Sequence, residues 1–114
     1  AMMSVEGVWK VEVMGPHGWD RIATALLKDG RYFGASADHY STGSYEFADD
    51  SITWDARVNQ HGKVRAVYGS KKRRMNVRFE GKLKKEDKIV GRSQAADSKK
   101  FELRTRLIRL GNID

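Results

Sequence analysis

The sequence predicts an all-β fold, a small antiparallel up-and-down β-barrel of about eight or nine strands. Hydrophobic and polar residues alternate along most of the chain, for example in residues 51–58 and 75–83. Successive side chains of a strand point to opposite faces, so each of these runs has one apolar and one polar face. Turns rich in Gly and Asp separate the runs. Many short amphipathic strands bury their apolar faces by closing into a barrel or a two-layer sandwich.

The first half of the chain carries four predicted strands. Gly and Pro in residues 15–18 predict a turn between the first two. Asp29 and Gly30 lie between two apolar runs, which is the strongest short-range signal for a tight hairpin. The polar residues 38–42 lead into the fourth strand. The four strands are predicted at residues 5–14, 19–28, 31–37 and 44–47.

The second half carries five more predicted strands. They are predicted at residues 51–58, 64–68, 75–83, 89–95 and 101–110. The last of them also suits a helix through its Leu and Arg content, but Thr105 and the alternation around it favour a strand. Its apolar residues change face near Leu107, which predicts a β-bulge there. Gly81 and Gly91 interrupt strands, where they would permit sharp coiling.

Length and composition predict one domain without disulfides. The chain has 114 residues, of which 5–114 are expected to form the barrel after a tail at 1–4. Ala1 before Met2 is typical of a cloning remnant. The absence of cysteine excludes disulfides and thiol chemistry and fits a cytoplasmic protein. No apolar run is long enough to span a membrane, and the N-terminus lacks a signal-peptide pattern.

Positive charge is concentrated in the second half of the chain. The formal net charge is +7, with residues 1–57 at −4 (five Lys/Arg, nine Asp/Glu) and residues 58–114 at +11 (seventeen and six). Basic residues on neighbouring strands are expected to share one outer wall, to which nucleic acid could bind. The basic surface is predicted at Lys71, Lys72, Arg73, Arg74, Lys82 and Lys84.

Large aromatic residues on the apolar faces define the predicted interior. We expect Trp9, Trp54, Phe79 and Phe101 to line it. A barrel of this strand number is either filled by side chains or holds one small ligand. The sequence leaves both readings open, and the hypothesis of a cavity for a small apolar ligand rests on these four residues.

No arrangement of residues indicates an enzyme. His17, His39 and His61 are too dispersed to form a typical metal site, so no metal or cofactor is expected. The adjacent carboxylates at 49–50 and 86–87 are better explained as turns, because paired catalytic carboxyls face each other across a substrate. No nucleophile elbow, phosphate-binding loop or dinucleotide motif is present.

The first half of the chain also resembles a known family. The carrying residues are the run 7–11, the hairpin 27–34 and the stretch 40–52, with Ala35-Ser36-Ala37 where the family has a double glycine. Together they resemble the GrlR-like family, named for a bacterial negative regulator of type III secretion gene expression. The resemblance implies a lipocalin- or calycin-like barrel with an interior cavity. It also implies a regulatory contact with a partner protein, predicted at Glu46, Asp49 and Asp50.

These observations predict a non-enzymatic regulatory or small-ligand-binding module in the bacterial cytoplasm. Edge strands left unpaired by incomplete closure would favour a homodimer. The alternative is a nucleic-acid-binding protein that uses the basic second half of the chain.

Overall fold

The residues that the structure describes form eight antiparallel strands that close into one barrel, as the sequence predicts. A computed structural model describes residues 4–69, 71–97 and 101–113. Among these residues no helix is long and apolar enough to cross a membrane. The strands are β1 (Gly7–Gly15), β2 (Gly18–Lys28), β3 (Arg31–Ala35), β4 (His39–Ala48), β5 (Ser51–Gln60), β6 (Arg74–Lys85), β7 (Lys88–Ala95) and β8 (Glu102–Gly111).

Each strand pairs with its neighbours in sequence, and β1 pairs with β8 to close the sheet. The predicted hairpin at Asp29-Gly30 is confirmed, with φ angles of 51° and 77°. Asp49 and Asp50 form the same kind of turn, with φ angles of 52° and 65°. Positive φ at both central residues gives the two-residue turn whose twist matches that of paired strands. Turn geometry therefore accounts for this pair of aspartates.

Three details of the predicted strand pattern were wrong. Residues 64–68 form no strand, because β5 and β6 pair directly with each other as far as Asn59 and Arg74. The fourth strand begins at His39, well before residue 44. The irregularity of the last strand falls at Leu110, where the pairing with β1 shifts between Arg109 and Gly111.

Two paired glycines allow the sheet to coil sharply between β6 and β7. Gly81 and Gly91 lie opposite each other in the ladder. A Cβ atom on Gly91 would collide with the carbonyl oxygen of Glu80 and would lie 2.5 Å from Cα of Gly81. A Cβ on Gly81 would lie 2.6 Å from the Phe79 ring. These positions require glycine because the backbones approach closely at a point of strong coiling.

The two ends of the barrel differ. The closed end carries the turns at 29–30, 49–50 and 86–87. Trp9 fills the interior there: it has no exposed surface, and its Nε1–H donates a hydrogen bond of 2.9 Å to the carbonyl of Val5. The opposite end, which we call the mouth, carries the short turn between β1 and β2 and the longer connections that precede β4, β6 and β8.

Candidate functional site

A small cavity lies inside the barrel on the mouth side of the aromatic core. Its volume is about 70 Å³. Its apolar wall comes from residues of four strands, β1, β2, β5 and β6, and from Val67. The apolar lining residues are Val11, Ile22, Ala23, Trp54, Ala56, Val58, Val67, Met75, Val77 and Phe79. Seven polar side chains and the two buried tyrosines complete it: Asp38, His39, Ser41, Gln60, Arg65, Ser93, Thr105, Tyr32 and Tyr68.

Three stacked aromatic rings bound the cavity on the side of the closed end. The ring centroids of Tyr32 and Trp54 are 4.6 Å apart, with 16° between the ring planes. Those of Trp54 and Phe79 are 4.2 Å apart at 21°. The three residues belong to β3, β5 and β6. A continuous aromatic stack of this kind gives the cavity a rigid apolar floor.

A chain of hydroxyl groups crosses the other side of the cavity. The Tyr68 hydroxyl is 3.0 Å from Oγ of Ser93, which is 2.6 Å from Oγ1 of Thr105. Oγ1 of Thr105 in turn donates to the carbonyl of Leu103 at 3.1 Å. Buried hydroxyls are stable in an apolar wall only when they are paired. No buried side-chain nitrogen or oxygen in the described residues lacks a partner.

Burial keeps both phenols of the cavity in their neutral form. Desolvation raises the pKa of Tyr68 to about 12, against the opposing hydrogen bond from Ser93 and with a small addition from Tyr32. Desolvation also raises the pKa of Tyr32, and a hydrogen bond with Ser41 partly offsets this rise. The Ser41 hydroxyl donates that bond to the Tyr32 oxygen at 3.4 Å. These two phenols therefore present neutral donors and acceptors to the cavity.

Residues 61–69, which we call the mouth segment, cover the cavity without forming a strand. The carbonyl of Asp38 accepts hydrogen bonds from the backbone amides of His61 and Gly62 at 2.9 and 3.0 Å. Gln60 holds the far side: its Oε1 accepts from the amide of Arg65 at 2.8 Å, and its Nε2 donates to the carbonyl of Lys72 at 3.0 Å. The segment is thus held by a few side-chain and turn hydrogen bonds, and not by backbone pairing with a strand.

Charged and titratable groups surround the cavity opening. Nδ1 of His39 lies 2.6 Å from Oγ of Ser36. Burial lowers the pKa of His39, the charge of Arg65 and His61 lowers it further, and Asp38 opposes them. The imidazole is therefore neutral at pH 7. Arg65 forms an exposed ion pair of 3.0 Å with Asp20, so its guanidinium is turned toward the rim.

The predicted cavity residues fall in three different places. Trp54 and Phe79 line the cavity. Trp9 is interior but packs at the closed end, away from the cavity. The prediction for Phe101 was wrong, since this residue precedes β8 and is 45% exposed. Its ring packs outside the barrel near Gly69, where a Cβ would lie 3.1 Å from the ring.

Sequence reasoning missed the buried hydroxyl residues of the site. Ser41, Ser93 and Thr105 occupy inward positions of β4, β7 and β8 and are almost fully buried. A polar residue on the apolar face of an alternating strand was the available signal. Tyr68 could not be found in this way, because residues 64–68 were predicted to form a strand of their own.

The predicted basic residues do not form a single wall. Lys71, Lys72, Arg73 and Arg74 lie at the mouth, where β6 begins, whereas Lys82 and Lys84 lie near its other end. Between them Arg78 is bound by Asp55 at 2.8 Å and Glu80 at 3.1 Å.

Several of the cations at the mouth have partners of their own. Lys72 pairs with Asp97 at 2.6 Å. Arg73 donates to the carbonyls of Gln60 and Gly62 at 3.1 Å each. Part of the positive charge at the mouth is therefore already engaged in contacts within the protein.

The acidic residues predicted to contact a partner protein are exposed. Glu46 lies on the outer face of β4, and Asp49 and Asp50 form the following turn at the closed end. The backbone carbonyl of Asp50 accepts a hydrogen bond from the amide of Leu83. All three carboxylates are accessible from outside the barrel and lie at the opposite end from the cavity opening.

Within the described residues, no group of three or more His, Asp or Glu side chains could hold a metal ion. A scan against protein-family models and a search of curated proteins found no match to the chain. The GrlR-like resemblance therefore stays a prediction.

Proposed function

We propose that this protein is a non-enzymatic binding module that takes up a small, mainly apolar ligand at the mouth of the barrel. The observation that supports it is an interior cavity with apolar walls, an aromatic floor and a line of neutral hydroxyls. A few well-placed polar groups in a mostly apolar pocket are the usual make-up of a ligand site.

The size of the cavity limits the ligand that fits without rearrangement. A volume of about 70 Å³ corresponds to roughly two water molecules at the density of the liquid. Ligand sites usually enclose about 300–1,000 Å³. A larger ligand therefore requires the mouth segment to move, which is the part of the wall that lacks strand pairing.

Native mass spectrometry of protein purified from its host without detergent tests this proposal. We expect a mass excess that disappears under denaturing conditions. Ala56→Leu, which places an isobutyl group in the cavity, should abolish the excess. Ala48→Leu is the matched control, because Ala48 is exposed at the end of β4. A ligand-free mass for the wild-type protein would contradict the proposal.

A regulatory contact is the second role that we propose, and it rests on the GrlR-like resemblance and the exposure of Glu46, Asp49 and Asp50. In this proposal the protein is cytoplasmic and ligand occupancy is reported to a partner protein. Replacing Glu46 by Gln and both aspartates by Asn, which preserves the turn, should abolish capture of the partner from a host lysate. Asp20→Asn provides a control at the opposite end. Unchanged capture would contradict the assignment of these residues.

A further inference from the structure

Tyr68 is a part of the covering loop that enters the barrel. The mouth segment has no strand, yet the Tyr68 side chain is 9% exposed and its hydroxyl bonds to Ser93. Its ring packs in an apolar cluster with Met75, Val77 and Ala95. The neighbouring Gly69 has φ +76°, a conformation that reverses the chain at low cost. A single aromatic side chain is thus inserted into a site built by other elements.

The residues around the Tyr68 side chain have the composition of a binding site for a phenol. Apolar side chains surround the ring, and its oxygen is hydrogen-bonded to Ser93, whose hydroxyl is in turn bonded to Thr105. The 70 Å³ cavity lies beside it and shares Tyr68, Ser93 and Thr105 as lining residues. Withdrawal of Tyr68 would add the volume of its ring to the existing cavity and leave the hydroxyl pair facing the enlarged space.

The contacts that retain the mouth segment are few and mostly near the surface. The exposed Arg65–Asp20 pair contributes little, since surface ion pairs are typically worth about 0–1 kcal/mol. The amides of His61 and Gly62 bond to the Asp38 carbonyl, and that of Arg65 bonds to the Gln60 side chain rather than to the backbone of a strand. Segments with few ladder hydrogen bonds open locally at a fraction of the global free energy of unfolding.

We infer that Tyr68 occupies, in the free protein, the position of the ligand, and that this ligand is a hydroxylated aromatic compound whose hydroxyl replaces that of Tyr68 on Ser93. This inference rests on the proposed function and adds a ligand class and a displacement step to it. A carboxylate fits this position less well, because the hydroxyl chain contains no cation and a buried charge needs a partner. A plain hydrocarbon would leave the Ser93 position without the hydroxyl that now meets it.

Two probes of nearly the same shape, p-cresol and toluene, test the inference by titration calorimetry. The wild-type protein should bind p-cresol more tightly than toluene. Tyr68→Ala removes the internal competitor, so we expect its affinity for p-cresol to rise about tenfold or more, because a larger fraction of molecules is competent to bind. Tyr68→Phe keeps the ring but loses the hydroxyl, so it should give a smaller rise and also serves if the alanine variant does not fold.

A control variant and a double variant distinguish this inference from a general effect of removing an aromatic side chain. Phe33→Ala removes an aromatic ring that is 45% exposed on the outer face and should leave p-cresol binding unchanged. Ser93→Ala in the Tyr68→Ala background should remove most of the preference for p-cresol over toluene. Persistence of the full preference in that double variant would overturn the assignment of the hydroxyl site.

The remaining outcomes distinguish this inference from the proposed function. If the wild-type protein binds p-cresol and both Tyr68 variants bind it with unchanged affinity, the ligand does not take the position of Tyr68 and the inference fails, while the proposed function stands. If only the Tyr68→Ala variant binds, Tyr68 is a permanent part of the core and the displacement step is overturned. Binding of neither probe to the wild type or either variant would overturn the inference, and a ligand-free native mass would overturn the proposed function as well.

Discussion

Tyr68 and Tyr32 show how a barrel interior accepts polar atoms without ionising them. Both phenols are buried, and each has one hydroxyl partner, Ser93 and Ser41 respectively. A neutral hydroxyl pair costs far less to bury than a charge. The consequence is that the phenols of the cavity stay neutral across the physiological pH range and ionise only at high pH.

The stability of the protein should therefore fall at alkaline pH. Tyrosine in the unfolded chain loses its proton near pH 10, whereas burial raises the pKa of Tyr68 to about 12. Above pH 10 the unfolded state binds fewer protons than the native state, so the free energy of unfolding decreases. The contribution of Tyr68 is fully present below pH 10 and is lost as pH rises through 12, a loss of about 3 kcal/mol.

Urea unfolding at pH 8 and at intervals above pH 10 measures this effect. Tyr68→Phe has no phenol to ionise, so its stability should decline less steeply, with the remainder due to Tyr32, whose pKa is also raised. Parallel decline of the variant and the wild-type protein would contradict the assignment.

At the residue scale, alternation was enough to place Trp54 and Phe79 in the interior, because both lie in the middle of long paired strands. It failed for Phe101, which continues the alternation of β8 in sequence but lies outside the ladder, whose pairing with β7 ends at Glu102. Periodicity reports a face only where a neighbouring strand fixes the orientation of the backbone.

At the scale of elements, close approach of β6 and β7 makes Gly91 the most restrictive position in the sheet. We expect Gly91→Ala to destabilise the protein by about 3 kcal/mol, because the added Cβ would collide with the Glu80 carbonyl and Gly81 in the paired backbone. Gly15→Ala is the control, since its Cβ would have its nearest neighbour at 3.6 Å. Thermal unfolding of the two variants measures the difference, and equal midpoints would show that the coiling is not tight at Gly91.

The local stability of the mouth segment should depend on Gln60 more than on the segment's own residues. Gln60→Ala removes the acceptor of the Arg65 amide and a donor to the Lys72 carbonyl. We expect amide exchange of Arg65 to accelerate by about tenfold, as the loss of roughly one hydrogen bond implies. Hydrogen exchange measured by NMR checks it. Gln94→Ala, in β7, should leave this rate unchanged, and an equal effect of the two variants would contradict the role of Gln60.

The same segment explains one wrong strand prediction. Residues 64–68 are apolar except for Arg65 and include Val64, Val67 and Tyr68, residue types that favour strands. A short apolar run becomes a strand only if a neighbour offers backbone partners, and the direct pairing of β5 with β6 leaves none. Tight two-residue turns such as Asp29-Gly30 were predictable because their conformational requirement is local.

At the scale of the whole molecule, closure removes the unpaired strand edges on which the expected homodimer was based. All eight strands pair on both sides. The homodimer stays a prediction. Two copies would have to associate through side chains on the outer surface, because no strand edge is left for backbone pairing. Leu26 and Phe33, 42% and 45% exposed, face outward opposite each other on β2 and β3.

Sedimentation measures the oligomeric state. If two copies associate through this pair, Phe33→Asp should shift the wild-type dimer to monomer, because an unpaired carboxylate is costly to bury. Arg57→Asp, on the outer face of β5, is the control and should remain dimeric. A wild-type protein that stays monomeric at high concentration would contradict the prediction.

Net charge alone does not make the molecule a nucleic-acid-binding protein. Of the basic residues, Lys71–Arg74 and Lys82–Lys84 lie toward opposite ends of β6, and Arg78 between them is neutralised by two carboxylates. Backbone binding to nucleic acid requires several cations along one path. We therefore expect single-stranded RNA to bind more weakly than about 10 μM at physiological salt, and to bind measurably at low salt only, as non-specific contacts do.

Fluorescence anisotropy with a labelled RNA at both salt concentrations measures this. Arg73 is not substituted, because it donates hydrogen bonds to the carbonyls of Gln60 and Gly62. The double variant Lys71→Ala/Arg74→Ala is therefore compared with Lys82→Ala/Lys84→Ala. Both remove two positive charges, but at opposite ends of β6. Equal weakening by the two double variants is the result expected of a diffuse positive field. Tight binding at physiological salt that only Lys71→Ala/Arg74→Ala abolishes would instead make the mouth a nucleic-acid site, and the cavity beneath it would then have to be explained as core packing.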